Sequence, residues 1–202
     1  MSKAVLIAPL AILLMLEAYH CARRNGWAFC LLFCTAALLF GVIRGNVVGL
    51  ICLIEGFPEP YGFTGNVIRI GLTSLVEPFG WLFALYGSWF IAEGMLRKVP
   101  EWNGGILSVS FLAALMMGGF SYATEVAATA MGWWHWRLMS VSDLFFYAVP
   151  LVGVMDWASV AVDFLLPFLL WFSPAVRRSR WRFALPLIFV AHMGIHYWWF
   201  KL

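Results

Sequence analysis

An all-α fold crossing a membrane, a polytopic bundle of about six transmembrane helices (or seven), is what this chain predicts, and three observations predict it. Of 202 residues, 63% are hydrophobic and 11% charged, against roughly a quarter charged in a soluble domain. The apolar residues run on without alternation, as in Ala4–Leu16 and Trp27–Ile43, whereas a membrane β-barrel shows short alternating segments. In hydrocarbon every backbone N–H and C=O needs an internal partner, and continuous apolar runs satisfy that demand as helices. The length suits one domain over residues 1–202 and leaves no room for a soluble module.

Six segments are long enough for a hydrocarbon core of about 30 Å, which takes roughly 20 helical residues. They lie near 4–21, 27–54, 68–96, 105–131, 146–172 and 183–200. The first follows Lys3 and has the look of a signal peptide. It ends in Glu17, Tyr19, His20, Arg23 and Arg24 with no small-residue cleavage site, and therefore reads as a retained span. Gly56, Phe57, Pro58, Glu59, Pro60, Tyr61 and Gly62 demand a structured loop after the second, which Glu55 ends. Pro78 falls early in the third span, and Pro150 and Pro167 bracket the fifth, each inviting a bend. Gly45 with Gly49, and Gly118 with Gly119, mark close helix packing.

Basic residues then orient the bundle. Connections one, three and five hold Arg23, Arg24, Arg97, Lys98, Arg177, Arg178, Arg180 and Arg182; the opposite side holds Lys3, Arg44, Arg69, Arg137 and Lys201. Eight against five puts the first group in the cytoplasm. The net charge of +3 is spent on topology, and nucleic acid is not an expected partner. Cys21, Cys30, Cys34 and Cys52 contain no CxxC pair and read as small apolar residues.

On this map Glu55, Glu77, Glu125, Asp143 and Asp156 gather in the outer half of the membrane or its interface, with Asp163 deeper on the face of Asp156. A carboxylate within a span is a functional-site hypothesis by default. Low dielectric disfavours the charged form of such a group, and a protonated carboxylic acid facing an apolar pocket is a usable Brønsted acid. Aromatic side chains make up 18% of the chain, with Trp133, Trp134, His135 and Trp136 in one run, and aromatic faces stabilise a nearby cation. Acid and aromatic lining together suit protonation of an isolated alkene. Asp143 at a helix start is better read as an N-cap, and Trp at span ends forms ordinary interfacial belts. His192 and His196, at i and i+4, are weak metal candidates. GxSxG, HExxH, Gly-rich phosphate loops and DxxxD pairs are all missing, and four histidines are too few for a histidine-rich di-iron site.

Three stretches carry a resemblance. Glu55-Gly56-Phe57-Pro58, then Tyr61, Pro78 and Trp81, resembles the opening signature of the membrane carotenoid biosynthesis proteins, the family of the acyclic-carotenoid hydratases such as bisanhydrobacterioruberin hydratase. Glu125 followed by Gly132, Trp134 and Trp136 is similar to their second signature, and Tyr147-Ala148-Val149-Pro150-Leu151 with Trp157 to their third. The matches cover residues 55–157 in the family's order. They depart from it at Glu125-Val126, where the family has Asp-Pro, and at Gly153, where it has Asn; Asp156 stands close to that lost polar group.

The resemblance implies cofactor-free water addition to a terminal double bond of an acyclic carotenoid, in a prokaryotic cytoplasmic membrane. Glu55, Glu77, Glu125 and Asp156 would supply the acid and the water-orienting base. Tyr61, Trp81, Trp134, Trp136, Tyr147 and Trp157 would line the apolar isoprenoid, with membrane lipid around it. The alternative is a non-catalytic small subunit of a larger pigment- or lipid-containing complex with membrane-protein partners. A third reading, a proton or metal transporter, would use the same carboxylates with His192 and His196.

Overall fold

The computed structural model describes residues 4–56, 61–63, 68–99, 105–136, 145–146 and 149–201, with side-chain surroundings for 11–56, 68–99, 105–136, 149–151 and 153–195. The chain is mostly helical. Among the described residues, Trp27–Glu55, Ile106–Ala130 and Gly153–Phe172 are long and apolar enough to cross a membrane. At about 1.5 Å per residue, the 29 residues of Trp27–Glu55 reach well beyond a 30 Å core.

Helix α1 (Ala4–Asn25) turns at Gly26, whose φ of 88° suits a residue without a Cβ, into α2 (Trp27–Glu55). Gly56, at φ 70°, closes α2 by donating back to the Cys52 and Leu53 carbonyls. Strand β1 (Tyr61–Phe63) and the hairpin of β2 (Arg69–Ile70) with β3 (Thr73–Ser74) lead into α3 (Val76–Leu96). Helix α4 (Ile106–Ala130) is followed by β4 (Trp134–Trp136) and the β5 (Phe145–Phe146) and β6 (Val149–Pro150) hairpin. The fifth expected span becomes α5 (Leu151–Val160), a π-turn at Ala161–Leu165 and α6 (Leu166–Phe172). A short α7 (Pro174–Arg177), a 3-10 turn at Arg180–Ala184 and α8 (Leu187–Lys201) complete the chain.

Two span boundaries differ from the sequence expectation. Residues 68–75 and 146–150 were expected within helices, yet they hold the β2–β3 hairpin and β5–β6. Pro78 and Pro150 explain both limits: each lacks an N–H and restricts its predecessor, so each falls at a helix start, Pro78 in the first turn of α3 and Pro150 directly before Leu151. Pro167 acts differently. Its ring conflicts with the carbonyl four residues back, that of Asp163, and the helix widens there into the π-turn, with Leu166 N–H bonding to Ala161 O.

Neighbouring helices pack α1 on α2, α2 on α3, α3 on α4 and α4 on α5. Their core is aromatic: Phe33, wholly buried, meets Trp89, Phe164 and Phe168 at centroid distances of 5.3–5.8 Å. The expected glycine packing is present on α2. A Cβ on Gly45 would strike Thr73, and one on Gly49 would strike Leu72, so the β2–β3 hairpin lies directly on the helix. Asn46 secures it: its side-chain amide donates to the Val42 and Ile70 carbonyls and accepts from Leu72 N–H at 2.8 Å. Gly118, by contrast, packs on Val154 and Ala158 of α5, and Gly119 meets nothing.

The contacts separate two ends. The C-terminal halves of α2 and α4 meet the N-terminal halves of α3 and α5, through Gly41 on Pro78 and Arg44 on Asp156. At the other end Arg24 pairs with Glu93 at 2.7 Å and Phe29 meets Phe172. Connections one, three and five thus share a side, as the charge map requires. Arg44 does not belong to that map. It is wholly buried within α2, which leaves eight basic residues against four.

Candidate active site

Glu125 is 3% exposed near the end of α4. Its Oε2 accepts two indole N–H groups, from Trp134 at 2.7 Å and Trp136 at 3.1 Å. Local folding delivers both donors. Helix α4 ends at Ala130, Gly132 at φ 65° reverses the chain, and β4 runs back over the last turn. Alternate residues of a strand share a face, so Trp134 and Trp136 reach Glu125 while His135 points to the exposed side. Trp157 of α5 is a third indole interacting with the carboxylate, and Asp156 acts on it electrostatically.

Described residues from each of the three stretches meet here. Strand β1 pairs antiparallel with β4, setting Tyr61 opposite Trp136 and Phe63 opposite Trp134. Gly153 lies beneath the Trp136 ring: a Cβ there would stand 2.6 Å from two of its carbons. The Trp136 indole therefore fills the space that a side chain at 153 would occupy.

Behind this cage lies a buried charge network. The Arg44 guanidinium donates to both Asp156 carboxylate oxygens, at 2.7 and 3.1 Å, and to Ser159 Oγ at 2.8 Å. It also lies 3.7 Å from Asp163 and 5.2 Å from the centre of the Trp81 ring. Asp163, in the π-turn, is bonded to His192 Nδ1 at 2.6 Å, and its second oxygen is buried with no hydrogen-bond partner among the described residues. A buried carboxylate is costly without such partners. The widened turn that Pro167 imposes is the one that holds it.

Among the predicted acids the structure joins Glu125 and Asp156. Glu77 sits in the first turn of α3 and accepts Ser74 N–H at 3.2 Å, as a capping residue does, and Glu55 is half-buried as the last residue of α2. Of the predicted lining, Trp134, Trp136 and Trp157 surround Glu125, while Trp81 faces Arg44. Tyr147 and Asp143 lie outside the described residues, as do the side chains of Tyr61 and His196. His192 serves Asp163, and among the described residues no group of three or more His, Cys, Asp or Glu has the arrangement of a metal site. Arg44 was the functional candidate that sequence reasoning missed. Its signal was an arginine eleven residues short of a span's end, too deep for a topology charge.

No known protein family matches the chain, and neither does any curated protein or solved structure.

Proposed function

We propose that this protein is a cofactor-free membrane enzyme that adds water to a terminal double bond of an acyclic, carotenoid-like isoprenoid, within a bundle of about six spans in a prokaryotic cytoplasmic membrane. The observation that carries the reading is the pair of indole donors on a single oxygen of Glu125. With Oε2 occupied as an acceptor, a proton on the acid resides on Oε1. That oxygen is the Brønsted donor.

In the proposed reaction, Oε1–H passes its proton to the less substituted carbon of the terminal alkene, and the π pair forms the new C–H bond. The resulting tertiary cation lies against the faces of Trp134, Trp136 and Trp157, whose ring quadrupoles favour positive charge. Water oriented by Asp156 attacks the cation, forming C–O, and its released proton returns to Glu125. Alkene and water give a tertiary alcohol with no change in enzyme redox state. Arg44 keeps Asp156 in position beside the cage.

The test is turnover of an acyclic carotenoid by detergent-purified protein in heavy water. One deuterium should appear on carbon next to the new tertiary alcohol, and Glu125→Gln should lower turnover by about 10²–10⁴-fold while the protein stays folded. Full turnover by the Gln variant would rule out Glu125 as the acid; absence of any hydrated product from a panel of acyclic isoprenoids would remove the reading altogether.

A further inference from the structure

At the opposite end from Glu125, the segment that follows Gly153–Phe172 forms a basic cavity. Five basic residues and no acidic one follow Asp163. Three of them, Arg177, Arg178 and Arg182, line a cavity of about 680 Å³ together with Phe172 and Pro174, a volume in the range of small-ligand sites. Ser173 sets up this shape: its hydroxyl caps α7 by accepting Val176 N–H, so the chain turns at once after α6. Arg182 is braced from behind. It donates to the Arg177 carbonyl at 3.0 Å and lies over the rings of Trp171 and Phe183, at 5.4 and 4.8 Å. Among the described residues no carboxylate pairs with any of the three, so positive charge accumulates without internal compensation. Trp181, 80% exposed, and Phe183, 64% exposed, adjoin Arg182 in the chain, and exposed aromatics of this kind sit at a membrane interface.

We propose that this cavity binds the phosphate headgroup of an anionic phospholipid. Guanidinium groups match phosphate oxygens in two-point geometry. The position favours a lipid over a soluble anion: the cavity opens where Gly153–Phe172, long enough to cross the membrane, comes to its end, and its apolar wall of Phe172 and Pro174 suits the glycerol and first acyl carbons. The site is separate from the Glu125 cage and does not depend on the reaction proposed there.

Lipid binding to the full chain, purified in a neutral detergent, can be read by native mass spectrometry with phosphatidylglycerol, phosphatidylcholine or inorganic phosphate added. Phosphatidylglycerol should bind at least about fivefold more tightly than phosphatidylcholine, since each arginine near an anionic surface contributes about that factor. Arg178→Gln should weaken phosphatidylglycerol about fivefold, and Arg177→Gln with Arg178→Gln about 25-fold, with phosphatidylcholine unchanged. Arg180→Gln removes the same charge from the same segment outside the cavity lining, and should cost far less. Arg182 is left intact because it braces the turn. Equal binding of the two lipids, an Arg180→Gln loss as large as that of Arg178→Gln, or displacement of the lipid by equimolar inorganic phosphate would each overturn the proposal.

Discussion

Replacing Arg44 by Met tests the buried network most directly, because Met fills similar volume and removes only the guanidinium. Two hydrogen bonds to the Asp156 carboxylate, one to its backbone carbonyl and one to Ser159 disappear. Within membrane proteins such bonds average about 0.6 kcal/mol and reach about 1.7, so four of them suggest a loss between about 2 and 3 kcal/mol. The larger effect is the charge left behind. The Asp163 side chain is wholly buried, and removing one partner of a buried ion pair costs about 3–5 kcal/mol. His192 remains bonded to Asp163, which puts the expected loss near the lower end, about 3 kcal/mol. Reversible unfolding in mixed micelles, followed by the fluorescence of the 12 tryptophans, measures it. Arg44→Met combined with Asp156→Leu should lose less than the two single changes summed, by about 1–3 kcal/mol. A loss below about 1 kcal/mol for Arg44→Met, or strict additivity in the double variant, would refute the claim that this network holds α2 to α5.

The remaining predictions concern single contacts. Gly153→Ala places a Cβ 2.6 Å from the rigid Trp136 ring. It should cost about 1–3 kcal/mol by overpacking and blue- or red-shift the Trp136 emission as the indole leaves Glu125; a further Trp136→Ala should recover part of the stability. Asn46→Ala strands Leu72 N–H and frees the β2–β3 hairpin from α2, at about 1–2 kcal/mol, seen as faster amide exchange at Leu72 with the helices unchanged. Phe33→Ala empties the centre of the aromatic core, where the ring is wholly buried, and should lower unfolding stability by about 3–5 kcal/mol.

Hydropathy and charge placement, both local properties, made much of this architecture legible. The apolar runs at 27–54 and 105–131 correspond to α2 and α4 within a residue or two, because an interior without water forces such runs into helices. The same reading placed Glu125, Asp156 and the Trp134–Trp136 segment at one end, and Glu125 does meet Trp134, Trp136 and Trp157 there. Two glycines were readable in part: Gly45 and Gly49 marked close packing, though not that a hairpin would fill it.

Partner choice was decided only by tertiary structure. Arg44 and Asp156 lie 112 positions apart, and although the depth of Arg44 in its span sets it apart, nothing in either neighbourhood says which carboxylate it turns to. The pairing depends on which helices touch, on the π-turn that Pro167 opens at Asp163, and on β1 crossing to β4. Hydrophobicity tells a segment that it is buried in lipid or protein; only the packed bundle brings opposite charges within 3 Å, where low dielectric makes their attraction strong enough to keep them inside.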